Sequence, residues 1–141
     1  MKLLLSGLIL SSALVAFAAP VLAGDAKKGE DDFKKCKACH SIIADDGTAI
    51  QKGGKIGPNL YGVVGRQIGT EAGFKYGDAT VAAGADGTKW DEAMIAEYVV
   101  DPTAWLKKKT GNDAAVSKMT FKMASGGEDV AAYLASVKPA Q

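Results

Sequence analysis

The spacing of apolar residues predicts three main helices. In residues 25–36, Gly29 and Phe33 fall on one helical face, while lysines and acidic residues occupy most of the remainder. Residues 91–100 carry a second apolar stripe and residues 127–137 a third. The stripe positions are Met94, Ile95, Tyr98 and Val99 in the second helix, and Val130, Tyr133, Leu134 and Val137 in the third.

Polar, glycine-rich segments between these helices predict long connections. Pro102 ends the second helix, because the residue before a proline disfavours the α region. One short helical turn is predicted over residues 103–108. The connections at residues 42–56 and 62–89 are longer than a compact domain normally contains. We therefore expect an additional apolar component in the core, against which these loops pack.

The first 23 residues have the pattern of a cleaved secretory signal. A positive charge at Lys2 precedes an apolar run over residues 3–19, and small residues follow it. This run is shorter than the ~20 residues that usually cross a bilayer, although an uncleaved membrane anchor is the alternative. We expect cleavage after Ala23, one domain over residues 24–141, and the periplasm as location.

The short motif Cys36-Lys37-Ala38-Cys39-His40 contains both cysteines and the only histidine of the chain. C-x-x-C-H is the attachment motif of c-type haem: each sulfur bonds a vinyl group of the porphyrin, and the histidine can ligate the iron. A redox dithiol or a structural disulfide is one alternative, but a thioredoxin-like motif would follow a strand. Structural zinc would need a fourth nitrogen or sulfur ligand, and no further Cys or His exists.

The second axial position of such a haem has several candidates. Since the chain has no second histidine, Met94, Met119, Met123, a lysine or no ligand remain. Met94 lies on an apolar stripe and is better explained as part of the core. The other two precede the last helix in a connection, from which a thioether can reach the iron, and the spacing favours Met119 over Met123. Thioether ligation raises the midpoint potential.

Charge is balanced in number but uneven in distribution. The 17 Lys and Arg residues nearly equal the 16 Asp and Glu residues, which argues against nucleic acid as a partner. Lysines nevertheless cluster around the C-x-x-C-H motif and in residues 107–122. This lysine surface comprises Lys34, Lys35, Lys37, Lys107, Lys108, Lys109, Lys118 and Lys122. We expect it to steer an acidic partner; a merely solvated face is the alternative.

The chain resembles the class I c-type cytochromes of the bacterial c-two type, relatives of mitochondrial cytochrome c. The resemblance rests on C-x-x-C-H at residues 36–40, then Gly57-Pro58-Asn59-Leu60, then Lys118-Met119-Thr120-Phe121, in this order. It implies an all-α cytochrome c fold. In that fold, three main helices, short helical turns and long loops surround one covalently bound haem c.

The resemblance also implies roles for individual residues. Cys36 and Cys39 carry the haem, and Met119 is the axial ligand opposite His40. The carbonyl of Pro58 accepts the proton on the outer nitrogen of the histidine. The remaining implied haem contacts are Arg66, Tyr76 and Trp90 at the propionates and Tyr98 beside the methionine sulfur. At the crossing of the terminal helices, Gly29 and Phe33 are implied to pack on Val130 and Tyr133.

The implied function is electron transfer and not enzymatic catalysis, because an iron with both axial positions filled offers no site to a substrate. The resemblance implies a monomer with a cytochrome bc complex as donor and a photosynthetic reaction centre or terminal oxidase as acceptor. A haem enzyme is one alternative, but it would need an open iron or several haems. A gas-binding four-helix cytochrome is another, but it carries the haem motif near its C-terminus.

Overall fold

The computed structural model of the protein describes residues 23–139. All of the predicted signal except Ala23 lies outside the described residues. Within them, none of the helices combines the length and the apolar character that crossing a membrane requires. The elements in chain order are α1 (Ala26–Asp32), a 3-10 turn (Phe33–Lys35), β1 (Ile42–Ile43), β2 (Ala49–Gln51), α2 (Asp78–Ala83), α3 (Glu92–Val100), α4 (Pro102–Thr110) and α5 (Gly127–Ser136).

The terminal helices α1 and α5 cross at a glycine. A Cβ on Gly29 would lie 1.8 Å from the carbonyl oxygen of Asp129 and 2.9 Å from the Cβ of Tyr133, so no larger residue fits. The ring of Phe33 is fully buried, with its centroid 5.7 Å from that of Tyr133. Val130 belongs to the same buried cluster. The packing implied for this crossing is therefore confirmed.

Asp101 separates α3 from α4. The helix α3 ends at Val100, as predicted from the proline, and Asp101 then accepts a hydrogen bond of 3.0 Å from the N–H of Ala104. The helix α4 is longer than the turn predicted at residues 103–108. Pro102 suits the first helical turn, where an N–H is not needed, and Gly111 ends the helix with a φ of 65°.

Both long connections contain short regular elements that the sequence analysis did not locate. Within residues 42–56, β1 and β2 form an antiparallel hairpin with an irregular register. Within residues 62–89, the six-residue helix α2 buries Thr80 and Ala83. These elements are too short to produce a readable period in the sequence.

The terminal helices are slightly shorter than predicted. The first tightens into a 3-10 turn after Asp32, and the last stops at Ser136.

Two apolar clusters form the core. The main cluster contains Phe33, Ile42, Val63, Ile95, Val99, Met123, Val130, Ala131, Tyr133 and Leu134. The second contains Ile68, Ala83, Trp105, Leu106 and Ala115. Trp90 and Tyr98 pack against both clusters. Of the other predicted site residues, Cys36 and Met119 border the main cluster.

Candidate haem-binding site

The C-x-x-C-H motif forms a tight turn that continues from the 3-10 turn. The carbonyl oxygen of Cys36 accepts hydrogen bonds from the N–H of Cys39 at 3.1 Å and from the N–H of His40 at 2.9 Å. Neither cysteine forms a disulfide, and both are partly buried. The local backbone therefore holds two thiols and one imidazole within a single turn.

His40 has a defined tautomer. Its Nδ1 lies 2.9 Å from the carbonyl oxygen of Pro58, the contact that the resemblance implies. Because a carbonyl only accepts, Nδ1 carries the proton, and the lone pair of Nε2 is left for a metal. Burial lowers the pKa of His40, and the Pro58 carbonyl opposes that shift. The neutral imidazole, which is the form that binds iron, is therefore favoured.

Gly57 gives the imidazole its space. A Cβ at this position would lie 2.3 Å from Cε1 and 2.6 Å from Nδ1 of His40. The N–H of Gly57 donates to the carbonyl of Cys39 at 2.8 Å, which holds the backbone flat against the ring.

Burial also raises the pKa of the Cys36 thiol to about 11. This apolar setting suits an uncharged thioether better than a thiolate.

Ser117 anchors Met119. The Ser117 hydroxyl oxygen accepts a hydrogen bond of 3.0 Å from the N–H of Met119 and lies 3.2 Å from the hydroxyl of Tyr98. The N–H of Ser117 in turn donates to the hydroxyl of Thr103 on α4 at 3.1 Å. Ser117 is only 6% exposed. Sequence reasoning missed it, although a serine two residues before a loop methionine is a recognisable turn signal.

The three candidate methionines occupy different environments. Met123 is 3% exposed inside the main cluster, and Met94 packs against the second cluster. Met119 is partly buried at the border of the main cluster, as are Cys36 and Tyr98. Of the three, Met119 thus combines a hydrogen-bonded loop with a side chain at the edge of the core.

Trp90 and Tyr98, both partly buried, form an aromatic group with the buried ring of Trp105. The ring centroid of Trp90 lies 5.1 Å from that of Tyr98 and 5.2 Å from that of Trp105. Burial raises the pKa of Tyr98, and its contact with Ser117 opposes the rise. The phenol therefore remains protonated and able to donate a hydrogen bond.

Arg66 is held in a corner lined by carbonyl groups. Its Nη1 donates to the carbonyl of Tyr61 at 3.2 Å and also to the carboxylate of Glu71, while Nη2 donates to the carbonyl of Asn59 at 2.9 Å. Burial raises the pKa of Tyr76, and the charge of Arg66 opposes this rise, so the two side chains are near one another. Glu71 was not predicted as a member of this corner.

Hydrogen bonds and packing connect the predicted residues on the far side of the site. The N–H of Trp90 donates to the carbonyl of Arg66 at 2.9 Å, and the Trp90 ring contacts Tyr98, which reaches Met119 through Ser117. Arg66, Trp90, Tyr98 and Met119 are therefore connected through hydrogen bonds and ring contacts.

Much of the lysine surface is locally neutralised. Lys34 pairs with Asp31 and Lys35 with Asp32, each at 2.7 Å. Further pairs join Lys109 to Asp86 and Lys122 to Asp101. Lys118 donates to the carbonyls of Lys75 and Tyr76. Among residues 23–139, Lys37, Lys107, Lys108 and Lys118 form no ion pair, so they contribute the least compensated positive charge of this set.

The donor set fits a c-type haem. Two thiols lie on one turn with an imidazole whose Nε2 is available, and a thioether belongs to a hydrogen-bonded loop that borders the same apolar cluster as Cys36. Partly buried aromatic side chains and an arginine complete the surroundings. Thioether sulfur and neutral imidazole are the ligands that haem iron accepts in electron carriers.

Comparisons with known proteins agree with this chemistry. A cytochrome c2 from Rhodobacter capsulatus is 62% identical over 125 residues, which cover 89% of this chain and 91% of that protein. A cytochrome c-550 from Paracoccus pantotrophus is 58% identical over 118 residues, covering 82% of this chain and 88% of that protein. The solved structure of cytochrome c2 from Rhodobacter capsulatus matches with a TM-score of 0.80 at 64% identity, covering 81% of this chain and 98% of that chain. No protein-family model matches the chain.

Proposed function

Because the chain belongs to the cytochrome c2 family, we propose that it is a soluble periplasmic one-electron carrier whose haem iron is ligated by His40 and Met119. Family membership establishes the coarser statement: the protein is an electron carrier with the cytochrome c fold, and not an enzyme. It also establishes one covalently attached c-type haem, whose attachment motif is matched by Cys36 and Cys39.

The observation that carries the ligand assignment is the hydrogen bond of 3.0 Å from the Met119 N–H to Ser117. It fixes the backbone of the methionine loop next to Tyr98, at the edge of the core. Met123, the closest alternative in sequence, is 3% exposed within the apolar cluster. Pulling it out would leave a cavity, which typically costs 2–5 kcal/mol for a residue of this size.

The residues around the site indicate how the protein would transfer an electron. When bound, the haem supplies an iron that gains or loses one electron. His40, oriented by Pro58, and Met119, anchored by Ser117, would bind the iron in both oxidation states. With both residues bound, no position on the iron would be left for a substrate, so transfer would be outer-sphere. Arg66, Tyr76 and Trp90 would hold the propionates, and the partly buried aromatic rings would exclude water.

The partners proposed for this carrier are membrane redox complexes. A cytochrome bc complex is the donor, and a photosynthetic reaction centre or a terminal oxidase is the acceptor. The lysine surface supports steering towards acidic partners, with Lys37, Lys107, Lys108 and Lys118 as its least compensated members. Steering of this kind raises association rates roughly 10–10³-fold at low salt. Transfer rates that stay flat when ionic strength rises from ~10 mM to ~300 mM would contradict this role.

The ligand assignment is tested by comparing Met119→Leu with Met123→Leu. In the oxidised protein, coordination by methionine produces a weak long-wavelength charge-transfer band. Met119→Leu should abolish this band and lower the midpoint potential, because the thioether favours the reduced iron. Met123→Leu is the matched control and should retain both. A band that survives the first change and disappears with the second would overturn the assignment.

A further inference from the structure

Glu71 forms an ion pair with the arginine that is proposed to hold the haem carboxylates. Its Oε2 accepts from Nη1 of Arg66, and the side chains are only 20% and 17% exposed, respectively. At this degree of burial a charge pair is screened less than an exterior one. The two residues also line one cavity of about 490 Å³ together with Asp45 and Lys138. Glu71 therefore lies beside Arg66 in a partly buried corner.

Most of the N–H donors of Arg66 already form hydrogen bonds. A guanidinium has five N–H donors in a fixed fork. Nη1 donates to Tyr61 and to Glu71, and Nη2 donates once to Asn59. This leaves the Nε donor and one donor on Nη2 available for a second carboxylate. Arg66 can thus serve Glu71 and a haem carboxylate at the same time.

We propose that Glu71 is a positioning residue that tunes the midpoint potential by sharing Arg66 with the haem carboxylates. This inference rests on the proposed role of Arg66 at the propionates. Oxidised iron carries one more positive charge than reduced iron, so a nearby net positive charge disfavours it. Glu71 compensates part of the Arg66 charge. Glu71 therefore stabilises the oxidised state. By holding the guanidinium, Glu71 also fixes the direction of the remaining Arg66 donors.

The test is a redox titration of Glu71→Gln, followed by absorbance. At a fixed applied potential, the ratio of reduced to oxidised protein should rise about threefold, equivalent to about 28 mV at 59 mV per tenfold change for one electron. Glu97→Gln is the matched control, because Glu97 is exposed on α3 and the substitution makes the same change in net charge. If both variants change the ratio equally, Glu71 has no specific role and the inference is wrong.

A double-mutant cycle with Arg66→Gln separates this inference from the proposed function. Glu71→Gln changes the ratio of reduced to oxidised protein by a certain factor. If Glu71 acts through Arg66, this factor should differ at least twofold between the native and the Arg66→Gln backgrounds. Equal factors would overturn the sharing of Arg66. An Arg66→Gln variant with an unchanged potential would instead refute the propionate role of Arg66. The methionine charge-transfer band, retained in each variant, reports that the axial ligation is intact.

Discussion

The N–H of Met119 donates a hydrogen bond of 3.0 Å to the hydroxyl oxygen of Ser117, which also lies 3.2 Å from the hydroxyl of Tyr98. One buried serine thereby links the proposed ligand loop to α3. Its own N–H is bound by Thr103 on α4. The position of the loop is therefore determined by three separate segments of the chain.

Removing this hydroxyl should loosen the methionine loop. Ser117→Ala leaves the Met119 N–H and the Tyr98 hydroxyl without a partner, which costs about 1–3 kcal/mol. Urea unfolding should show this loss, and the methionine charge-transfer band should disappear at a lower temperature. Ser125→Ala, at an exposed position, is the control and should remain within about 0.5 kcal/mol of the native protein. Equal stability of the two variants would contradict the anchoring role.

A methyl group at Gly57 should displace the proximal imidazole. In Gly57→Ala the new Cβ would lie 2.3 Å from Cε1 of His40, so the ring must move and lose its bond to Pro58. We expect the haem spectrum to change. We also expect the native ligation of the iron to be lost at a lower urea concentration than in the native protein. Gly73→Ala has open space but a φ of 73°, so it should cost about 1 kcal/mol of backbone strain and leave the spectrum unchanged.

The crossing of α1 and α5 should tolerate no side chain at Gly29. The Cβ of Gly29→Ala would lie 1.8 Å from the Asp129 carbonyl oxygen, forcing the helices apart. Overpacking of this kind costs about 2–3 kcal/mol, measurable by urea unfolding. Lys27→Ala, at an exposed position of the same helix, provides the comparison. A Gly29→Ala protein as stable as Lys27→Ala would show that the crossing is looser than described.

Asp86 should stabilise the protein only while it is ionised. Hydrogen bonds from Thr88 and then Lys109 lower the pKa of Asp86 to about 2, below the ordinary ~3.9 of an unfolded chain. Its contribution is therefore complete above about pH 4 and is lost as pH falls towards about 2. The gap in urea midpoint between the native protein and Asp86→Asn should close over this range. A gap that stays the same throughout this pH range would contradict the prediction.

Several features of the fold and site could be read directly from the residues. The covalent chemistry of Cys36, Cys39 and His40 depends on neighbours in the chain, so their spacing predicts the haem. The stripes of α3 and α5 were visible because each helix is long enough to repeat its apolar face. Pro102 marked the end of α3 because its ring restricts the preceding residue. These are local properties, and they need no knowledge of distant contacts.

The sequence by itself thus determined the haem chemistry and the main helices, and only the tertiary structure decided how the site is supported. Ser117 meets Tyr98 across 19 residues and Lys109 meets Asp86 across 23, pairings that no local pattern records. Likewise, Arg66 forms an ion pair with Glu71 because the loop between the two residues turns back on itself. The short elements within residues 42–56 and 62–89 are stabilised by packing on the core more than by their own propensity.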